Sequence, residues 1–172
     1  NFTLFHLNSK ITEITSNNSS YIVKFYATQA DLNSDTVISN PEAYTSVSKT
    51  IFVKVTDPLG NNCSIQSTLE LKVLEVPGNN TIPQELQKCD ATGFHAFNIT
   101  EREPFLRGLT PENELTFRYY INLSDAEDNN NNTISTPEAF TNTVIDYQKV
   151  FIRLNSNVNF DSETGIACYR IY

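Results

Sequence analysis

Methionine and tryptophan are absent from the 172 residues, and no unbroken apolar run exceeds a few residues. Basic residues are scarce, 12 against 20 acidic ones, for a formal net charge of −8. That balance argues against a nucleic-acid binder, because phosphates repel an acidic surface that no basic block offsets. The short apolar runs exclude a bilayer-spanning helix. No secretory leader is visible, and the chain starts inside a strand-like pattern, Phe2-Thr3-Leu4-Phe5, so it reads as a piece of something longer. Motifs that carry chemistry are missing too: no nucleophile elbow, phosphate loop, Cys-x-x-Cys or zinc-spaced histidine pair occurs. Nothing marks a carboxylate pair for glycoside cleavage, which must be held about 5–10 Å apart in a pocket. What abounds is asparagine (21), threonine (19) and serine (14). These side chains compete with the helical backbone for hydrogen bonds and disfavour long helices. The length suffices for one large or two small domains.

Internal similarity decides between those two. Asn40-Pro41-Glu42-Ala43-Tyr44-Thr45 recurs as Thr136-Pro137-Glu138-Ala139-Phe140-Thr141, an offset of 96. Flanking blocks match in the same order: Phe2–Leu7 over Phe94–Ile99 at offset 92, and Tyr21–Ala27 over Leu115–Ile121 at 94. Ile51–Val55 lies over Val150–Leu154 at 99, and Cys63 over Cys168 at 105. The offset grows only where Asn, Ser, Gly and Pro cluster, so the blocks are elements and the gaps are surface loops. Two copies of one domain are expected, over residues 1–76 and 77–172, the first lacking its N-terminal strand and the second truncated in its last. Leu74–Pro83, with two prolines and a glycine, reads as a short, semi-rigid linker.

The blocks alternate with period two, as half-buried strands do. Tyr21, Val23, Phe25 and Ala27 share one face, as do Leu115, Phe117, Tyr119 and Ile121 in the second copy. Ile51, Val53 and Val55 oppose Phe52 and Lys54; Val150, Ile152 and Leu154 oppose Phe151 and Arg153. Thr68–Val73 alternates as well. Single helical turns are predicted at Thr28–Leu32 and Asn122–Glu127, each opening on a capping residue. Short strands between turn signals predict an all-β fold of two tandem immunoglobulin-like sandwiches, for which a copy of about 90 residues is the usual size.

Overlaying the copies puts one cysteine ahead of the first strand and one ahead of the last. On that basis Cys89 and Cys168 are expected to form a disulfide within the second copy, leaving Cys63 without its partner. Such a bridge would close a loop of about 80 residues and stabilise by roughly 4–5 kcal/mol. Unpaired buried thiols are the alternative, since sequence does not determine connectivity. A disulfide implies an oxidising compartment.

Asp31-x-Asn33-x-Asp35 followed by Glu42 mimics the alternating oxygens of a calcium loop, although Thr36 stands where the turn glycine belongs. The plainer reading is an Asx-stabilised turn. Asp128 and the four asparagines after it read as a solvated loop tip. His6 and His95 occupy unmatched places and read as ordinary surface residues. Tyr26, Tyr120, Phe52 and Phe151 fall on outward strand faces, either as sugar-stacking platforms or as cross-strand packing. Asn79, Asn98 and Asn122 open Asn-x-Ser/Thr triplets that matter only in a eukaryotic secretory host.

The order Cys89-Asp90, Gly93-Phe94, Phe97, Tyr119-Tyr120, Pro137–Asn142 and Cys168, echoed by Phe25-Tyr26, Asn40–Thr45 and Cys63, resembles the tandem repeats of very large Bacteroidota surface proteins, such as the SprB-type adhesin of gliding flavobacteria. Gly165-Ile-Ala-Cys168-Tyr169 departs from that pattern by two extra residues. The resemblance implies export by the type IX secretion system, display at the outer membrane, and a cell-adhesion role in gliding motility. Its implied partners are neighbouring repeats of the same chain and external surfaces or polysaccharides, without nucleic acid or membrane insertion. Asp35-Thr36-Val37 resembles the O-glycosylation sequon of that phylum, with Thr36 as acceptor. The expected function is a repetitive spacer and adhesive segment, not an enzyme, with no cofactor beyond the calcium hypothesis. The alternative is a carbohydrate-binding accessory module of a secreted glycanase.

Overall fold

The computed structural model describes residues 2–172. The chain divides into two compact units, Asn1–Val73 and Leu74–Tyr172. In the first, β1 (Thr3–Phe5) leads through a 3-10 turn into α1 (Ile11–Ile14), then β2 (Ile22–Tyr26) and α2 (Gln29–Ser34). A second 3-10 turn, Pro41–Ala43, precedes β3 (Tyr44–Ser46), β4 (Lys49–Asp57) and β5 (Cys63–Leu71). The second unit repeats the order with β6 (Ala96–Phe97), α3 (Glu103–Arg107), β7 (Leu115–Tyr120), α4 (Leu123–Asp128), β8 (Phe140–Thr141), β9 (Phe151–Phe160) and β10 (Ala167–Ile171).

Each unit pairs its strands into one two-stranded and one three-stranded antiparallel sheet: β1-β3 with β2-β4-β5, and β6-β8 with β7-β9-β10. The structure is therefore mostly β, in two domain-like repeats with short helices. Among the described residues no helix is long and apolar enough to cross a membrane.

Registers follow from the alternation. Phe25 faces Val53 across the strands and Val23 faces Val55; in the second unit Phe117 faces Leu154 and Tyr119 faces Ile152. Directly opposed residues share a face, so these rows form the inner surface of each sheet. Leu7, Phe25, Ile51, Val53 and Leu71 make the first core, and Ile99, Leu106, Tyr119, Phe140 and Ile152 the second. The Pro-Glu-Ala block, the strongest repeat signal, is a tight turn that aims the next strand inward. Pro41 and Pro137 stand in its first positions, where a missing N–H costs nothing. Ala43 N–H then donates to Asn40 O (3.3 Å) and Ala139 N–H to Thr136 O (3.1 Å).

The compact units divide after Val73, and Leu74–Pro83 packs on the second unit. Asn79 N–H donates to Leu106 O (2.8 Å), Tyr172 hydroxyl to Asn79 O (2.6 Å) and Arg170 Nε to Pro77 O (3.0 Å). Pro77 is buried and Gly78 lies against Leu154. The prolines bar this stretch from a central strand, but they do not stop it docking on one. In the second sheet the register slips between Ala167 and Tyr169: residues 156–159 of β9 bulge out opposite the single residue Cys168 of β10.

Candidate functional site

The outward face of each three-stranded sheet carries the densest polar network, and a short helix roofs it. Thr28 caps α2, its hydroxyl accepting from Asp31 N–H (3.1 Å). At the far end Asp35 takes left-handed φ of 53° and turns its carboxylate back toward the sheet. There it accepts from Tyr26 hydroxyl (2.5 Å) and from Lys24 Nζ (2.9 Å). Tyr26 is fully buried and stands opposite Phe52. Burial, and after it the Asp35 acceptor, pushes the Tyr26 phenol up to about 12. Asp35 is held below the usual carboxylate range, first by the Tyr26 hydroxyl and next by Lys24.

A raised folded value means that the neutral phenol stabilises fully below about pH 10, where an unfolded tyrosine ionises. That contribution disappears as pH rises through about 12. The first unit is expected to lose stability over this alkaline window, read as denaturant midpoints at successive pH values. Tyr26→Phe is expected to cost about 1–2 kcal/mol at neutral pH for the lost charge-assisted hydrogen bond, and to flatten the alkaline slope. An unchanged slope in the variant would refute the assignment to Tyr26.

The second unit builds the same roof with different groups. Asn129 holds the left-handed position (φ 52°) and Tyr120 is fully buried beneath it. Arg118, the counterpart of Lys24, donates to Asn129 O (2.9 Å), Asn129 Oδ1 (2.8 Å), Asn130 O (2.9 Å) and Asn131 Oδ1 (3.2 Å). Asp125 accepts from Asn130 Nδ2 (2.6 Å) and Asn132 Nδ2 (3.3 Å), and these bonds, with Asn122, keep it below the usual carboxylate range. The asparagine run is a largely exposed loop tip tethered by one guanidinium and one carboxylate. Arg153, on the strand face opposed to Val150, Ile152 and Leu154, is buried under α4. Its Nη1 donates to Ala126 O (2.8 Å) and Glu127 O (2.9 Å), and its Nε to Asn155 Oδ1 (2.7 Å). Its guanidinium lies 3.4 Å from the Tyr169 ring centroid.

The structure gives each sequence candidate a definite place. Tyr26 and Tyr120 are covered and offer no stacking platform; Phe52 and Phe151 are half-buried and pair across the strands with them. The calcium candidates do not converge. Asp31 and Asn33 lie two apart on α2, about 200° around its axis, so their oxygens diverge. Asp31 accepts from Thr28 Oγ1 (2.7 Å), Asn33 from Gln29 Nε2 (3.0 Å), and Asp35 is committed to Tyr26 and Lys24. Glu42 stands 3.8 Å from His6 Nδ1. Among the described residues no group of three or more His, Cys, Asp or Glu is placed to hold a metal. Asp31 and Thr36 instead line an open groove of about 350 Å³ with Ile38, Asn40 and Tyr44. Thr36 is exposed, its hydroxyl 2.9 Å from Ser34 Oγ. His95 lies 3.5 Å from Asp90 and edge-on to Phe97.

All three cysteines are free thiols in the structure; Cys63 and Cys89 are exposed and Cys168 is half-buried. Burial, and secondarily the charge of Asp161, pushes the Cys168 thiol up. Asn142, which the sequence marked only as the last residue of the Pro137–Asn142 block, has a structural role the sequence did not show. It is buried, accepts from His95 N–H (2.7 Å) and donates to Gly93 O and Val144 O (both 2.8 Å). Ser46, its counterpart by the 96-residue offset, is buried as well, and an equally polar residue at a matched strand end was the available signal.

Two β-rich repeats whose polar side chains are turned inward to hold roofs and turns define a tandem domain module. The particular family follows from comparison: the chain belongs to the Flavobacterium inter-domain disulphide bond domain family, whose model matches residues 1–77 and again 85–172. No curated protein and no solved structure matches it.

Proposed function

We propose that this chain is a repetitive segment of a secreted bacterial surface protein, serving as spacer and adhesive module in surface attachment and gliding. The observation that carries this reading is one module used twice, with its perturbed groups engaged in folding. Asp35, Asp90, Asp125 and Asp161 are each drawn down by hydrogen bonds that close a local turn or roof. A catalytic carboxylate would instead be raised or poised in a pocket. Type IX export and outer-membrane display complete the proposal, together with an immunoglobulin-like fold. Strand order supports that fold: β2-β4-β5 and β7-β9-β10 run as C-F-G, and β1-β3 and β6-β8 as B-E. Repetition suits multivalent adhesion, because weak contacts gain by effective concentration. Chains with four copies are expected to hold to polysaccharide or abiotic surfaces at least tenfold more strongly than chains with two. Strictly proportional binding would overturn the adhesive role. Tight selection of one sugar on a glycan array would favour the accessory-module reading instead.

The family's description also bears on the cysteines. The family's name speaks of an inter-domain bridge, and we propose that it pairs Cys63, at the start of one copy's last strand, with Cys89, ahead of the next copy's first. Both thiols are exposed, whereas Cys168 is partly covered. Closing the 26-residue separation stabilises by roughly 3–4 kcal/mol on the chain-entropy account. Peptide mapping of oxidised, non-reduced protein is expected to yield a Cys63–Cys89 cross-link. A Cys89–Cys168 cross-link would restore the pairing within the second copy.

A further inference from the structure

The second unit shows how its inner sheet face is covered; among the described residues of the first unit no equivalent segment lies on that face. Gly78 sits so close to the second sheet that a Cβ would lie 2.5 Å from Leu154 Cδ2 and 2.7 Å from Leu106 O. Further along, Leu86 packs on the core and Arg102 Nη2 donates to Glu85 O (2.9 Å). Beneath this cover Leu106 and Leu154 are wholly buried.

Their counterparts in the first unit are Ile14, at offset 92, and Val55, at offset 99. Both are only half-buried although they pack on the core. Val55 stands in a row with Val23 and Ile65 across the sheet, and Ile65 is 70% exposed. The corresponding row in the second unit is Phe117, Leu154 and Arg170, and Arg170 donates to Pro77 O of the covering segment. Lys10, the counterpart of Arg102, turns to Glu13 instead (3.2 Å). Equivalent faces of one module thus differ by one covering segment.

We propose that the face formed by Ile14, Val23, Val55 and Ile65 is a docking surface for an extended segment of the Glu75–Asn79 kind, carried by another copy of this repeat. The second unit identifies the occupant. It is a Val-Pro-Gly-Asn stretch whose glycine permits closest approach, whose proline has no N–H to satisfy, and whose next amide pairs with a helix carbonyl. In the first unit that carbonyl is Ile14 O. The cover excludes water from apolar surface, which favours docking in proportion to the area removed. The inference rests on the two copies sharing one plan, and is independent of adhesion.

The test grafts a second Leu74–Gly93 stretch, with Cys89→Ser, ahead of Phe2 in the full chain, so that it enters the first copy as the native stretch enters the second. Amide exchange at Val23, Val55 and Ile65 is expected to slow about tenfold or more. A graft carrying Gly78→Ala is expected to give no protection. In parallel, a synthetic Leu74–Pro83 peptide added to the ungrafted chain should move the methyl resonances of Ile14 and Val55. Unchanged exchange in the grafted chain together with unmoved methyls would overturn the proposal, as would equal protection from the Gly78→Ala graft.

Discussion

Gly78→Ala is expected to destabilise the second unit by about 3–4 kcal/mol. Two costs add. Gly78 has φ of +81°, a region that costs an L-residue about 1–2 kcal/mol. The new Cβ would also fall 2.5 Å from Leu154 Cδ2 and from Tyr172 Oη, and 2.7 Å from Leu106 O. The side chains can shift, but the carbonyl belongs to the backbone at the end of α3 and already accepts the Asn79 amide. Overpacking of this kind costs about 1–3 kcal/mol. Denaturant unfolding followed at the Ile152 and Leu154 methyls measures the effect. A loss below about 1 kcal/mol would mean that the segment lifts away freely, as a linker would.

Arg153→Ala is expected to cost the same unit about 3 kcal/mol or more. The guanidinium is 2% exposed and satisfies the last carbonyls of α4. Removing it leaves Ala126 O and Glu127 O without their donor, each at about 1–3 kcal/mol, and strips the stack on Tyr169. Relief of a buried charge offsets part of this. Arg153→Lys keeps the charge, as Lys54 does in the first copy, but cannot fork to three acceptors at once. It is expected to recover about half the loss. The denaturation midpoint should move with its slope unchanged. An Ala variant within about 0.5 kcal/mol of the parent would show that α4 is held by other contacts.

Duplication was legible because insertions fall between elements and not within them, so the blocks at offsets 92 to 105 kept their order. The helical turns at Thr28 and Asn122 were legible from their caps. The short helices α1 and α3 were not, since four or five residues carry too little of a 3.6-residue period to register. Asp31 and Asn33 looked like cation ligands because alternate residues converge on a loop; on a helix they diverge. Leu74–Pro83 looked like a spacer because proline and glycine exclude a strand, while its docking depends on Leu106, Leu154 and Tyr172, far along the chain.

What the sequence determined by itself was the double module, its strands, and which side of each strand is apolar, because period-two alternation is local. What only the tertiary structure decided was the state of the other side. Tyr26, Tyr120 and Arg153 point away from the core exactly as solvent-facing residues would, and are buried because α2, α4 and their αL caps fold back over them. A covering contact is made between segments whose order in the chain says nothing of their distance in space, so no local pattern can announce it.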